Sequence, residues 1–345
     1  MTSVAVAGAL ASKADSGGEA WVRLSYALGF RRLGCNVHLV EEAEGASPEA
    51  LEYARAVAGR FGLDYVPAAE AEGGDLLVDV SGNVHSAHVR RRFDRAAFVD
   101  IDPGFTQFWH EQGIEEIPEY DVYFTIGRNI GTGESPIPTC GLEWRPTWPP
   151  VVLDEWPVAD GAFDRFTTVS TWRSPFGPSE PYGLKHHEWR TFVGLPGRTG
   201  LPFEAVLDID PADAADREAL ESGGWQLVDP AAAATPDSFR EYVQGSGAEF
   251  SVAQGIYVET GSGWFSDRTV RYLAAGRPAL VQDTGFTRTL PAGEGLVAFG
   301  TLEEAAAGAR SIADDYERHA RAARTLAEEH FESDAVLRAM LEDAS

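Results

Sequence analysis

Three features of this sequence predict an α/β protein built from two domains. The chain has 345 residues, whereas a domain averages about 150 residues. In both halves, short apolar segments alternate with amphipathic helical segments, which is typical of parallel sheets covered by helices. Between the halves lies a stretch rich in proline and tryptophan that interrupts this alternation. The sequence therefore predicts two Rossmann-like domains that face a central cleft.

The first half of the chain contains a regular series of predicted strands. They lie at 4–7, 37–40, 76–80, 97–101 and 121–126. Amphipathic helices are predicted over 19–32 and 48–61. Strands that are apolar along their whole length indicate a parallel sheet buried on both faces.

The amino-acid composition of the chain changes between about 143 and 161. Four prolines lie here among three tryptophans: Pro146, Pro149, Pro150 and Pro157 among Trp144, Trp148 and Trp156. Such a density of proline predicts an extended linker without regular structure. We place an N-terminal domain at 1–145, the linker at 146–162, a C-terminal domain at 163–330 and a terminal helix at 331–345.

The second half repeats the alternation. Strands are predicted at 166–170, 203–209, 226–228, 249–252, 279–282 and 295–298, and helices at 188–195, 213–222, 236–244, 267–275, 302–331 and 334–342. Ligands of open α/β sheets bind outside the carboxyl ends of the strands. Both domains should therefore contribute residues to the cleft between them.

Composition excludes several classes of protein. The net charge is −26, from 28 basic and 54 acidic residues, so a nucleic-acid partner is not expected. No apolar run reaches the length of about 18 residues that predicts a membrane-spanning helix. The first residues lack the basic start of a signal peptide, so a cytoplasmic location is expected. Cys35 and Cys140 are predicted to be reduced and structural.

The segment 261–285 contains the most informative pattern. Gly261 and Gly263 allow a tight backbone turn, and Ser266 is a good N-cap for a helix that Asp267 begins. Gly276 ends that helix, and a strand follows it. A glycine loop leading into a helix N-terminus suits an anion such as a diphosphate.

This segment resembles the donor-binding segment of GT-B glycosyltransferases, including the Ala-Gly-x-Pro turn at 275–278. The resemblance implies a two-domain GT-B architecture, a nucleoside-diphosphate sugar as co-substrate, no further cofactor and no metal. It also implies that the donor lies against the C-terminal domain. The donor-binding candidates in this segment are Gly261, Ser262, Gly263, Trp264, Phe265, Ser266, Asp267, Arg268 and Asp283.

The sequence departs from the GT-B pattern in one respect. Many retaining members carry a pair of acidic residues separated by a fixed spacing before the Ala-Gly-x-Pro turn, whereas here Glu259 precedes Asp267. Asp267 is the candidate to replace the glutamate that holds the ribose hydroxyls in those enzymes. The alternative is a plain acid at the helix N-terminus, which contributes about 0.3–1 kcal/mol. For Trp264 and Phe265 the alternatives are a place in the core or in the cleft, and the flanking glycines favour the cleft.

Two further cations are candidates for the donor diphosphate. In GT-B enzymes an arginine or lysine from the loop after the first strand of the second domain often binds it. Arg173 and Lys185 lie in this loop, and fixed cations would stabilise the leaving diphosphate. The alternative is that both are solvated surface residues.

The N-terminal half offers four candidates for the base that takes the acceptor proton: Asp15, His85, Asp102 and His110. Asp102 is preferred because it follows a predicted strand directly. Metal sites are not expected. The adjacent His186 and His187 lack helical metal spacing, and the acid pairs 100/102 and 208/210 suit loop caps at strand ends.

The leading hypothesis is a glycosyltransferase that acts on a small acceptor, such as a natural-product scaffold. A sugar-nucleotide epimerase of the same fold is a second possibility, which turnover without an acceptor would identify. A non-catalytic partner that binds the sugar nucleotide without transferring the sugar is a third.

Overall fold

Two parallel sheets organise the protein. The computed structural model describes residues 1–173 and 182–344. The first sheet contains β1 (Ser3–Ala7), β2 (Asn36–Glu41), β3 (Asp64–Pro67), β4 (Gly74–Val80), β5 (Phe93–Asp100), β6 (Val122–Thr125) and β7 (Trp144–Pro146). The second contains β8 (Phe166–Thr171), β9 (Phe203–Asp208), β10 (Trp225–Val228), β11 (Ala248–Ser251), β12 (Ala279–Gln282) and β13 (Leu296–Phe299).

Both sheets have the same topology. The strand order is β3-β2-β1-β4-β5-β6-β7 in the first and β10-β9-β8-β11-β12-β13 in the second, and the described strand pairs are parallel. Each order reverses direction next to its first strand, as in a Rossmann fold. The predicted pair of Rossmann-like sheets is confirmed.

Helices cover the faces of the sheets. They are α1 (Gly17–Arg32), α2 (Pro48–Arg60), α3 (Ala87–Arg90), α4 (Phe105–Glu111), α5 (Lys185–Thr191), α6 (Leu195–Thr199), α7 (Ala214–Ser222), α8 (Pro236–Gln244), α9 (Gly255–Glu259), α10 (Asp267–Ala274), α11 (Leu302–Asp314), α12 (Tyr316–His330) and α13 (Ser333–Ala344). Local sequence explains several of their ends. Ser47 caps α2 ahead of Pro48, and Thr301 forms a capping box with Glu304 at α11.

Helix α1 joins the two halves of the molecule. Most of its residues are buried, because it packs on the first sheet and also against α8 and α13. The indole of Trp21 donates to the Pro236 carbonyl at 2.8 Å. Gly17 lies so close to the Thr235 backbone that a side chain would collide with it. The interface thus requires a glycine at the start of α1.

The linker and the C-terminal segment pair with each other. The amide of Val151 donates to the Phe331 carbonyl at 2.8 Å, and the Ser333 amide donates to the Val151 carbonyl at 2.9 Å. The chain then enters α13, which packs on α1. The last helix therefore covers the N-terminal half, although the preceding α12 packs on α10 of the second half.

The structure corrects four sequence predictions. Residues at the start of the proline-rich stretch form a strand, β7, because Tyr123, Phe124 and Thr125 of β6 supply paired partners. The helix predicted over 302–331 is two helices, separated at Asp315. Strand β3 was not predicted, since its residues are only partly buried. The loop predicted after β8 includes residues 174–181, which lie outside the described residues, and α5 begins at Lys185 rather than 188.

We expect Gly29→Ala to destabilise the protein. Gly29 of α1 faces α13, where an added methyl would collide with Leu337 and come within 3.0 Å of the Ser333 Cβ. Overpacking of this kind costs about 1–3 kcal/mol. The free energy of unfolding in urea measures the change. The matched control is Gly59→Ala in α2, where nothing lies within 4 Å and the better helix propensity of alanine should stabilise. Equal effects of the two changes would contradict this packing of α13.

Candidate active site

The carboxyl ends of both sheets meet at one cleft. Ile101 and Asp102 follow β5 of the first sheet, and α9 follows β11 of the second. The indole of Trp264 donates to the Ile101 carbonyl at 3.1 Å, which joins the two sides directly. The residues that follow the strands of each sheet therefore form the walls of the cleft.

Asp102 lies where the two sides of the cleft meet. It is accessible to solvent within the cleft, yet atoms of both sides surround it, and this burial raises its pKa. The Tyr257 hydroxyl donates to its Oδ1 at 2.7 Å and acts in the opposite direction, because a donor favours the charged carboxylate. No described residue hydrogen-bonds to Oδ2. Tyr257 thus fixes Oδ1, whereas Oδ2 is available to a ligand.

Asp100 shapes the loop that presents Asp102. It is buried, and it accepts bonds from the Asp102 amide at 3.1 Å, from Gln107 at 2.9 Å and from Thr125 at 2.9 Å. Burial raises the pKa of Asp100 to about 6. With its oxygens engaged by protein groups, Asp100 acts as a loop cap, as the sequence predicted.

Lys185 lies at the start of α5, on the C-terminal side of the same cleft. Burial, together with repulsion from Arg268, lowers its pKa to about 7. Asp102 and Asp267 act in the opposite direction, which places these two carboxylates near its ammonium group. No described residue hydrogen-bonds to the Lys185 amine. An anionic ligand would therefore find a desolvated amine that no described residue hydrogen-bonds.

Arg268 is engaged inside the protein rather than in the cleft. Its guanidinium donates to Glu249 at 2.6 Å, to the Val169 carbonyl at 2.8 Å and to Ser251 at 2.7 Å. Glu249 has no exposed side-chain surface. Arg268 was predicted to bind the diphosphate, but its three nitrogens are bonded to interior acceptors, so its role in the structure is to neutralise Glu249.

The start of α10 matches the sequence prediction. The Ser266 hydroxyl accepts from the Arg268 amide at 3.3 Å, so Ser266 is the N-cap. Asp267 forms an ion pair with Arg271 one turn later. Arg271 is almost completely buried and faces α1, where Glu19 and Arg23 form a second ion pair of the same spacing. The two helices thus bring paired charges to the base of the cleft.

The base of the cleft is nearly filled. A cavity of about 10 Å³ accessible to a water centre lies between α1 and α10, lined by Tyr26, Asp267 and Arg271 among others. This volume suffices for about one water. No ligand larger than a water molecule fits into this cavity.

The glycine loop serves the contact between the two sides. Gly261 and Gly263 have φ values of 53° and 77°, so the predicted need for glycine is confirmed. A side chain at Gly263 would meet Asn129 of the first half at about 3 Å, and the Asn129 amide donates to the Gly261 carbonyl at 2.8 Å. Ser262 is fully buried, and its hydroxyl bonds within the loop. The prediction that the Ser262 side chain binds the donor disagrees with this burial.

Trp264 and Phe265 point in opposite directions. Trp264 is partly exposed at the cleft and stacks on Tyr257, with ring centroids 4.6 Å apart. Phe265 has no exposed surface and stacks on Phe331 at 5.2 Å, beside Trp148. The prediction that Phe265 lines the cleft is wrong, because linker and C-terminal aromatic rings enclose it.

The other donor candidates have internal partners. Arg173 is largely exposed and forms an ion pair with Asp213. Asp283, at the end of β12, accepts from the Gly285 amide and from the Thr287 hydroxyl, each at 2.8 Å. Both residues therefore have structural partners in this conformation.

Among the remaining base candidates, none is held as Asp102 is. His110 accepts from the Ile117 amide through Nδ1 at 3.1 Å, which fixes the end of α4. His85 is exposed, and its backbone amide donates to Glu42 at 2.9 Å. Asp15 is exposed in the first loop with a φ of 60°. Among the four candidates, Asp102 is the one for which the structure describes a hydrogen bond across the cleft, to Tyr257.

The carboxylate of Glu41 accepts hydrogen bonds from the loop that follows β1. Glu41 is 2% exposed and accepts from the amides of Leu10, Ala11 and Ser12 at 2.7–3.0 Å. The hydroxyls of Ser12 and Tyr65 add a fourth and a fifth donor at 2.8 and 2.9 Å. The amides that could bind a phosphate after β1 are therefore already occupied from within the protein.

Comparison with known proteins identifies this arrangement of sheets. No protein-family model matches the chain, and no curated protein sequence matches it. Among solved structures, HepE of Anabaena in complex with UDP and glucose gives a TM-score of 0.64 at 11% identity, covering 99% of each chain. AviGT4, a glycosyltransferase involved in avilamycin A biosynthesis, gives 0.60 at 14% identity, covering 100% of this chain and 97% of its own. The chain has the GT-B fold.

A third GT-B structure extends the likeness over the whole chain. Sucrose-phosphate synthase from Thermosynechococcus elongatus gives a TM-score of 0.58 at 12% identity and covers 100% of both chains. The resemblance predicted from segment 261–285 is thus confirmed at the level of the GT-B fold. Within residues 1–173 and 182–344, no helix is both long and apolar enough to cross a membrane. The same residues contain no cluster of three or more His, Cys, Asp or Glu that could hold a metal ion.

Sequence reasoning missed Tyr257, which hydrogen-bonds to Asp102 across the cleft. Tyr257 lies on α9, directly after β11, and its side chain is 1% exposed. The rule that sites follow the carboxyl ends of parallel strands would have found this segment if applied to β11. Arg271, Asn129 and Glu249 gave no local signal, because their partners are distant in sequence.

We expect Arg268→Ala to lower the free energy of unfolding by about 3–5 kcal/mol, since it leaves the Glu249 charge buried and unpaired. Burial already raises the pKa of Glu249, and loss of Arg268 raises it further. The loss of stability should therefore be largest at neutral pH and shrink as Glu249 is protonated at lower pH. Chemical denaturation across pH measures it.

Two controls accompany this measurement. Arg321→Ala removes a positive charge whose side chain is 74% exposed and whose partner Glu317 is 89% exposed, so it should leave the free energy of unfolding nearly unchanged. The pair Arg268→Met with Glu249→Leu should recover most of the stability, because an apolar pair replaces a buried ion pair well. An Arg268→Ala protein as stable as Arg321→Ala would contradict the interior role of Arg268.

Proposed function

We propose that this protein is a glycosyltransferase that moves a sugar from a nucleoside diphosphate to the hydroxyl of a small acceptor. One observation carries the proposal. Asp102 of the first half and Asp267 of the second both lie near enough to the amine of Lys185 to act on its pKa, so the three side chains share one cleft. A carboxylate for the acceptor and a cation for the leaving group therefore face each other at the carboxyl ends of two Rossmann-type sheets.

The donor would bind to the C-terminal wall. Lys185 supplies the positive charge for the diphosphate, since its amine has no described hydrogen-bond partner and needs one when protonated. Asp267, at the first turn of α10, is the candidate for the ribose hydroxyls. Trp264 offers a partly exposed ring beside them. The Anabaena HepE structures contain UDP and UDP-glucose, so uridine nucleotides are the first ligands to test.

The acceptor would react beside Asp102. Its hydroxyl proton passes to Oδ2 of Asp102 as the acceptor oxygen forms a bond to the anomeric carbon of the sugar. The bond between that carbon and the diphosphate breaks, and its electron pair leaves on the diphosphate oxygen. Lys185 stabilises the charge that develops there. No further co-reactant is needed for this exchange of bonds.

The contacts across the cleft would protect the transfer from water. Asn129 bonds to Gly261 and Gly285, and Trp264 bonds to Ile101, so the two walls are closely apposed. Exclusion of water favours transfer over hydrolysis of the donor. Two partly buried aromatic residues, Phe108 and Trp109, lie next to this contact and would suit an apolar or aromatic small acceptor.

Calorimetric titration with UDP, dTDP, GDP and ADP tests the donor site. We expect one of these nucleotides to bind at micromolar concentration, and Asp267→Ala to weaken it. Binding should be followed by sugar transfer to a panel of small hydroxyl acceptors. Turnover of the sugar nucleotide without any acceptor would favour an epimerase, and binding without turnover would favour a non-catalytic protein. Absence of binding by every nucleotide would refute the proposal.

Donor binding should depend on pH through Lys185. A diphosphate prefers the protonated amine, and the free site has a pKa of about 7. Affinity should therefore be full below pH 7 and fall as the pH rises above it. Lys185→Met should weaken binding at pH 6.5 by about ten- to a hundredfold, the range for bonds to a charged group, and should remove this pH dependence.

The matched control for Lys185→Met is Arg321→Met, which removes one positive charge from an arginine with 74% side-chain exposure on α12. It should leave both the affinity and its pH dependence unchanged. If Lys185→Met keeps the wild-type pH dependence, the amine does not bind the diphosphate.

A further inference from the structure

A single hydrogen bond joins the proposed base to the opposite wall of the cleft. The Tyr257 hydroxyl donates to Oδ1 of Asp102 at 2.7 Å. Asp102 follows β5 of the first sheet, whereas Tyr257 belongs to α9, which follows β11 of the second. The bond can exist only where the two halves are in contact, so it reports their closed arrangement.

The direction of this hydroxyl is fixed by its surroundings. The Tyr257 ring is 1% exposed and stacks on Trp264, with centroids 4.6 Å apart and planes 26° apart. Phe105 packs edge-on against its other side at 5.8 Å. Burial and the neighbouring Asp102 charge raise the pKa of Tyr257 far above its usual range, so the phenol stays protonated and remains a donor.

The carboxylate is left with one open oxygen. Oδ1 is held by Tyr257, while no described residue hydrogen-bonds to Oδ2, and Asp102 is exposed in the cleft. The loop beneath is fixed by Asp100, which accepts from the Asp102 amide at 3.1 Å. Tyr257 and Asp100 thus orient the Asp102 carboxylate, and Oδ2 remains accessible to a ligand.

We propose that Tyr257 is the positioning residue for Asp102 in the sugar-transfer reaction. This inference rests on the proposed function. The Tyr257 hydroxyl aims Oδ2 at the acceptor hydroxyl and stabilises the charged carboxylate that must take the proton. Because the donor comes from the second half of the molecule, the base is aligned only when the two halves are closed.

Other charged groups also act on Asp102, and the experiment has to separate Tyr257 from them. The charged and titratable groups that face it are Glu19 and Arg23 of α1, Asp100 of β5, Lys185 of α5, and Asp267 of α10. These groups are unchanged in Tyr257→Phe, which also keeps the ring that stacks on Trp264. The variant therefore removes the hydrogen bond alone.

The test compares wild type, Tyr257→Phe and Tyr182→Phe in full-length protein, with UDP-glucose and the other sugar nucleotides as donors. Tyr182 belongs to the same aromatic cluster, packs on Phe108 at 5.4 Å, and its hydroxyl has no described hydrogen-bond partner. In Tyr257→Phe we expect kcat to fall by up to about a hundredfold, because a misplacement of about 1 Å in a reacting group can cost that much. KM for the donor should stay unchanged, since Tyr257 does not touch the proposed diphosphate site.

The pH profile separates positioning from a structural role. Loss of a donor to the carboxylate raises its pKa, so the acidic limb of kcat should move upward by about 1 pH unit in Tyr257→Phe. Tyr182→Phe should match wild type. A Tyr257→Phe profile identical to wild type would overturn this inference while leaving the proposed function intact. Absence of turnover by wild type with every sugar nucleotide would overturn both.

Discussion

The buried ion pair between Glu249 and Arg268 determines where the C-terminal wall of the cleft lies. Glu249 is on the central strand β11, and Arg268 is in the first turn of α10. The same guanidinium also bonds to Val169 of β8 and to Ser251. These bonds hold the start of α10 against β8 and β11, the two neighbouring strands at which the strand order reverses. The loop before α10, including Trp264, is held with it.

From this position the loop reaches the opposite half. Trp264 bonds to Ile101 and stacks on Tyr257, which in turn bonds to Asp102. Asn129 supports the glycines of the same loop from the N-terminal side. Contacts that run from Arg268 through the loop with Trp264 to Tyr257 thus connect a charge buried in the second sheet to a carboxylate that follows the first sheet.

Local patterns in the sequence predicted the elements and the ends of strands well. Asp100 and Asp102 lie at the carboxyl end of β5, Ser266 caps α10, and Gly276 follows that helix, because strand periodicity and capping depend on neighbouring residues. Long-range partners were not predictable in this way. Phe265 is enclosed by Trp148 and Phe331, and Tyr257 finds Asp102 across 155 positions of the chain. The sequence alone predicted Arg268 to be a ligand-binding cation, because its partner Glu249 lies on a different element of the fold.

The six strands of the second sheet follow the same order as the first six strands of the N-terminal sheet, where the loop after β1 encloses a carboxylate. In the N-terminal half, Glu41 occupies the amides of Leu10, Ala11 and Ser12. An internal carboxylate therefore acts there as a permanent counter-ion. These three amides are therefore not available to an anion, although the loop follows the first strand of a Rossmann-type sheet. A single buried glutamate can thus change the anion-binding character of a loop that the backbone topology alone would not distinguish.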